Sequence, residues 1–201
     1  MLYSRELNKK IEKVLFSLEI SLVGREDFFV TTSFGQQSTL IFFMLDEIGI
    51  KPNALNIKSP LAQGDVDKFQ EIITQKFNIN LEIIDRTEWL SDQIADKEFL
   101  SLDEDKRKTI CRELKRNPLK EYIEANKMNI WLSGIRKDQT KNRKQTNFIQ
   151  KTDLDIIKLC PFYNLMQDDV KKILSLANLP ENTKYIDLCK VNDARECGLH
   201  L

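Results

Sequence analysis

One histidine, five prolines and six glycines in 201 residues exclude several kinds of protein at the outset. With His200 the only histidine, a Cys-His catalytic pair or a histidine metal site elsewhere in the chain is ruled out. Glycine and proline are too sparse and scattered for collagen-like repeats or flexible linkers, and no low-complexity stretch occurs. The four cysteines, at positions 111, 160, 189 and 197, show neither CxxC spacing nor the density of a small secreted scaffold, so they are expected to be reduced thiols. Charge of one sign is missing too. Lys plus Arg and Asp plus Glu both number 31, so no global field draws nucleic acid or a membrane surface, and neither is expected as a partner. No run approaches the roughly 18 apolar residues of a membrane span. The first turns carry Arg5, Lys9, Lys10, Glu12 and Lys13, unlike the apolar stretch of a signal peptide, which makes a cytoplasmic location the simplest expectation.

What is present is an ordinary core under a charged surface, 41% apolar and 31% charged residues, at a length suited to one well-buried unit. Leu7, Ile11, Val14, Leu15, Leu18 and Leu22 form an amphipathic stripe that predicts a leading helix. Phe28 to Thr32 reads as a buried strand, running into the loop Ser33 to Ser38 and then an apolar helix that stops at Gly49. The pattern repeats with a strand at Ala54 to Ile57, a helix marked by Val66, Phe69, Ile72, Ile73 and Phe77, and a strand at Leu81 to Ile84. Asp85 to Asp105 is polar and aperiodic, a loop with short helical turns. A helix from Asp105 to Asn126, split or kinked at Pro118, precedes a strand at Met128 to Leu132. Two short strands, within Thr146 to Gln150 and Asp155 to Leu159, and a helix from Asp168 to Leu176 follow. This alternation predicts an α/β body with a mostly parallel sheet over residues 1–180, followed by an aperiodic tail, 181–201, that is either docked or mobile.

Three segments could carry chemistry. Ser33-Phe34-Gly35-Gln36-Gln37-Ser38 lies where a strand gives way to a helix, the sheet edge at which free helix amides favour an anion; Gly35 permits close approach, and Ser33 and Ser38 offer hydroxyls. Gly134 to Lys144, again just after a strand, contains Arg136, Lys137, Lys141, Arg143 and Lys144, five cations within nine residues of a chain with no net charge. Arginine can grip phosphate oxygens in bidentate fashion. Arg195-Glu196-Cys197-Gly198-Leu199-His200 places a thiol beside Arg195 and His200, cations that would favour the thiolate. Taken singly, each has a plain alternative: a capped βα turn, a solvated charged loop, and a frayed terminus with an incidental cysteine.

Together and in this order the three segments resemble the phosphoadenylyl-sulfate reductase family of sulfonucleotide reductases. That family carries Ser-Phe-Gly-x-x-Ser after its first strand, a mid-chain Gly-x-Arg-[Arg/Lys]-[Glu/Asp]-Gln-[Ser/Thr]-x-x-Arg run, and a closing Glu-Cys-Gly-Leu-His. These match Ser33 to Ser38, Gly134 to Arg143 and Glu196 to His200. The resemblance implies a Rossmann-like, adenine nucleotide alpha hydrolase-like fold that binds nucleotide, with a C-terminal catalytic tail. It implies reduction of 3′-phosphoadenylyl sulfate to sulfite and adenosine 3′,5′-bisphosphate in sulfate assimilation, with Cys197 attacking sulfur and Arg195 and His200 assisting. Ser33, Phe34, Gly35, Ser38, Arg136, Lys137, Gln139 and Arg143 would bind the substrate. A thioredoxin or glutaredoxin would then release sulfite from the Cys197 thiosulfonate, and a homodimer is compatible with the resemblance.

Relatives that act on adenylyl sulfate through an iron–sulfur cluster carry a Cys-Cys pair and a later Cys-x-x-Cys pair. Here those places keep only Cys111 and Cys189, too few thiolates for a [4Fe–4S] cluster, so no cofactor is expected. The family's Asp-Thr-Gly and Pro-Glu-Thr segments are replaced by Leu55-Asn56-Ile57-Lys58 and Gln63-Gly64-Asp65. Two other readings stay open: an ATP-using sulfur-transfer enzyme of the same superfamily, and a nucleotide-binding protein without turnover.

Overall fold

A computed structural model describes residues 4–94 and 98–190. The leading helix α1 (Arg5–Leu22) begins at Ser4, whose hydroxyl accepts from the Leu7 amide, and it buries Leu7, Val14, Leu18 and Leu22. Then come β1 (Phe28–Thr31), α2 (Gln36–Glu47), β2 (Asn53–Lys58), the short β3 (Ala62–Gln63), α3 (Val66–Lys76) and β4 (Asn80–Asp85). The stretch expected to be loop with helical turns contains α4 (Thr87–Gln93) and a 3₁₀ turn, Phe99–Ser101. Beyond it lie α5 (Glu104–Cys111), α6 (Asn117–Asn126), β5 (Ile130–Leu132), β6 (Ile149–Lys151), β7 (Ile157–Leu159), α7 (Gln167–Leu176) and β8 (Ile186–Asp187).

Five parallel strands and one antiparallel edge strand make the main sheet, in the order β4-β2-β1-β5-β7-β6. The α/β prediction therefore holds, including a mostly parallel sheet flanked by helices. Alternation along β1 explains the two-sided burial. Phe28 and Val30 point to the core shared with α1, α2 and α7, whereas Phe29 points to the opposite face, against Leu119, Tyr122 and Trp131. Parallel strands covered on both faces read as continuous apolar runs, as β1 and β5 do.

Pro118 was expected to split or kink a helix, and it does so by widening it. A π-helical turn, Arg112–Arg116, joins α5 to α6, and Pro118 sits in the first turn of α6. Proline has no N–H to give the carbonyl four residues back, and its ring crowds that carbonyl, so the wider turn removes the conflict.

The tail expectation divides at residue 190. Residues up to 190 are docked: β8 pairs antiparallel with β3, and the Leu188 amide donates to the Leu61 carbonyl. Gly64 allows this pairing, because its φ is +110° and a Cβ there would stand 2.7 Å from the Lys184 carbonyl oxygen. Residues 191–201 lie outside the described residues. No helix among the described residues is long and apolar enough to cross a membrane.

Candidate functional site

The chain leaves β1 toward one edge of the sheet through β2 and β4, and later returns to build β5 and β7 on the other side. The C-terminal ends of β1 and β5 thus flank a topological switch point, where loops diverge and leave a crevice. A cavity of about 300 Å³ opens there. Its polar wall comes from the loop after β1, the loop after β5, the π-helical turn and the segment around β8, through Ser33, Ser38, Gln139, Arg143, Lys115 and Asp187 among others. Leu55 and Ile57 of β2 supply an apolar side suited to the face of a base.

The loop after β1 is built by its own hydroxyls. Thr32 Oγ1 accepts from the Phe34 amide at 2.9 Å and donates to Ser38 Oγ at 3.0 Å, and Ser38 Oγ donates to the Gly35 carbonyl at 3.1 Å. Asn56 Nδ2 donates to the Thr32 carbonyl at 2.7 Å, tying the loop to β2. Phe34 takes a left-handed φ of +53° and is fully buried, so its role is to anchor the loop in the core. Gly35 is the N-cap of α2 and offers no capping side chain, which leaves the first helix amides available to an anion. Close packing falls at Gly134: a Cβ there would lie 2.5 Å from Cβ of Gln37, so this glycine lets the loop after β5 meet α2 at the cavity wall.

Of the residues expected to bind substrate, Ser33, Gly35, Ser38, Gln139 and Arg143 line the cavity, while Phe34, Arg136 and Lys137 do not. Arg136 is 2% exposed. Its Nε donates to Asp138 Oδ1 at 2.9 Å and its Nη2 to Gln167 Oε1 at 2.6 Å. Asp138 Oδ2 in turn accepts from the Gln167 amide at the start of α7, so Arg136 fastens the β5 loop to that helix. Lys137 faces outward, donating to Asn164 Oδ1 at 3.1 Å and lying over the Tyr163 ring. Arg143 bonds Gln139 Oε1, which also accepts from the Arg136 amide, and this pairing holds the guanidinium at the cavity. Cys197, His200 and Arg195 lie outside the described residues.

The cavity also uses residues that sequence reasoning missed. Lys115 Nζ lies 2.6 Å from Asp187 Oδ2, with side chains 7% and 2% exposed, and both line the wall. The two are 72 positions apart, and nothing in the local pattern of either flags a ligand. Pro118 was the one usable signal, since a distorted helical turn often marks a functional site. The expectation of four reduced thiols is also corrected. Cys111 and Cys189 are bonded to each other, 78 positions apart with Cα atoms 6.0 Å apart, because β8 returns the chain onto the end of α5. A bonded pair does not fit a four-thiolate iron–sulfur cluster. Cys160 is free and buried, and burial pushes its thiol up to about 11, which makes it inert rather than nucleophilic.

Comparison with known proteins agrees with this geometry. The model of the phosphoadenosine phosphosulfate reductase domain matches residues 27–187. Adenosine 5′-phosphosulfate reductase 2 of Bacillus subtilis is 31% identical over 114 residues, 45% of this chain and 48% of that protein. Adenosine 5′-phosphosulfate reductase of Bacillus cytotoxicus is 29% identical over 152 residues, 75% of this chain and 64% of that protein. The matched region thus spans less than two thirds of either relative. In fold, the chain is similar to phosphoadenylyl-sulfate reductase from Candida auris, solved as a phosphate complex: TM-score 0.71, 18% identity, 90% of each chain covered.

Proposed function

This chain belongs to the phosphoadenosine phosphosulfate reductase domain family, and from that premise we propose that it is a thiol-dependent sulfonucleotide reductase. The observation that carries the reading is the cavity at the β1/β5 switch point, where Ser33, Ser38, Gln139 and Arg143, members of two of the three motif segments, share one wall. Residues 1–180 form the nucleotide-binding body, and 181–201 add Tyr185 and Asp187 to its cavity wall and carry the nucleophile. The adenosine ring lies toward Leu55 and Ile57, and the anhydride lies toward the α2 amides and Arg143.

In this reading the Cys197 thiolate attacks the sulfur of the activated sulfate. The S–O bond to the nucleotide breaks, the electron pair leaves with the phosphate oxygen, and a thiosulfonate forms on Cys197. Arg143 and the helix amides stabilise the charge that grows on the leaving phosphate. Arg195 and His200 favour the thiolate form of Cys197. A dithiol protein of the thioredoxin or glutaredoxin type then attacks Cys197 Sγ, releasing sulfite, and its second thiol frees Cys197. The chemistry needs no bound metal or cofactor, and the cytoplasm supplies such dithiols.

The missing cluster cysteines favour 3′-phosphoadenylyl sulfate as substrate, with adenosine 3′,5′-bisphosphate as the second product. Adenylyl sulfate is a second reading, favoured by the names of the two Bacillus relatives. Intact-mass measurement of the reduced protein after mixing with each nucleotide separates them: a sulfonate adduct on Cys197 should form preferentially with the true substrate and vanish on adding thioredoxin. Sulfite release by Cys197→Ser would overturn the mechanism.

A further inference from the structure

The bonded cysteines belong to the cavity wall. Cys111 ends α5 one helical turn before Lys115, and Cys189 follows Asp187 by two residues. The covalent bond and the buried ion pair therefore link the same two segments, the π-helical turn on one side and the β8 segment on the other. The β8 side is tied further. Asp187 Oδ1 accepts from the Cys189 amide at 3.1 Å, and Oδ2 accepts from the Tyr185 hydroxyl at 3.4 Å. Tyr185, Lys115 and Asp187 all line the nucleotide cavity. A buried ion pair gains little over the desolvation of its two charges, so by itself it is a weak fastener. A disulfide closing a 78-residue loop is a strong one.

We propose that Cys111 and Cys189 form a thiol–disulfide switch on this wall: oxidised, the pair fixes Lys115, Asp187 and Tyr185 in place and favours nucleotide binding; reduced, it loosens them and weakens binding. The proposal rests on the reading of the cavity as a nucleotide site. Opening takes two electrons. An external dithiol attacks one sulfur to give a mixed disulfide, and its second thiol displaces that sulfur. Cys111 and Cys189 are left as thiols and the donor as a disulfide; closing runs the same exchange backwards with an oxidised carrier. The cysteines are 5% and 7% exposed, so exchange follows local opening of the 3₁₀ turn Leu188–Lys190. The bonded form has its Cα atoms 6.0 Å apart, within ordinary bonding range, so the reduced form can close again whenever the loosened segments return to that separation. Substrate capture thereby responds to the same class of dithiol that the proposed reaction consumes.

The test uses the full chain carrying Cys197→Ser, to prevent exchange with that thiol, and AMP as the probe, because AMP has no sulfate to transfer. Calorimetric titration of the oxidised and the dithiothreitol-reduced protein should show AMP binding roughly five- to tenfold tighter to the oxidised form. Adding Cys111→Ser should give the weaker affinity under both conditions, with circular dichroism checking that it folds; the reduced form makes the same comparison without a substitution at the pair. Equal affinities in the two redox forms would overturn the switch and leave the cavity reading intact. Failure of both forms to bind AMP would overturn the cavity reading, and the switch with it. Peptide mapping that finds Cys111 and Cys189 both alkylated after oxidation would also overturn the switch.

Discussion

Substituting Gly134 with alanine tests whether the crevice depends on the contact between the loop after β5 and α2. The new Cβ would stand 2.5 Å from Cβ of Gln37, an atom fixed to the helix backbone that cannot swing aside. Carbon atoms pack at about 3.5–4.0 Å, so the N-terminus of α2 must retreat by roughly 1 Å. Overpacking of this kind costs about 1–3 kcal/mol. In a chain of this length that lowers the melting temperature by roughly 2–12 °C. The same shift moves the first α2 amides away from Arg143, so AMP affinity should fall by about tenfold. Gly35→Ala is the control for stability alone, because Gly35 itself lines the cavity. Its nearest foreign atom would be Ser33 Oγ at 3.7 Å, an ordinary contact, and its φ of −87° suits alanine. Only the poorer N-cap propensity remains, on the order of 1 kcal/mol or less. Thermal unfolding by circular dichroism reads the stability of both variants, and calorimetric AMP titration reads the affinity of Gly134→Ala. If Gly134→Ala melted and bound as the parent does, the argument that this glycine sets the crevice would be wrong.

Arg136→Met should destabilise the fold by about 3 kcal/mol in urea titration, because it leaves Asp138 without its buried partner. Arg143→Ala should leave stability within about 1 kcal/mol and weaken AMP binding roughly tenfold; the opposite pattern would exchange the two assignments. Cys160 in the native chain should resist iodoacetamide at pH 8 and label fully in denaturant, since its thiol is pushed up to about 11 by burial. Burial pushes Asp169 up, but the Met166 amide and Lys10 outweigh this and hold its carboxyl below the usual carboxylate range. A lowered folded value means that its contribution is complete above the ordinary carboxylate range and is lost as pH falls through the folded value. The melting temperature should therefore drop below about pH 4, and Lys10→Met should shrink that drop. An unchanged acid profile would remove Lys10 from the account.

Much of the body was legible because its signals are local. The α1 stripe of Leu7, Val14, Leu18 and Leu22, the aromatic run of β1 and the alternation through β4 each encode burial within a few residues. The loop from Ser33 to Ser38 was legible as a turn at a strand end. Arg136 and Arg143 look alike in sequence, two cations in one loop; only packing separates them, since Arg136 meets Gln167, 31 positions away, whereas Arg143 stays at the cavity. The β3–β8 pairing was not legible, because strands of two residues carry no periodicity.

By itself, the sequence determined the parallel α/β body and the order of three motif segments, since strand and helix periods and motif spacing are properties of neighbouring residues. The tertiary structure decided what no local pattern contains. It put Lys115 beside Asp187 and Cys111 beside Cys189, turned Arg136 inward, and made Gly134 the point of close approach. Each of these is a contact between segments distant along the chain, and such contacts exist only once the sheet order has brought those segments to the same edge.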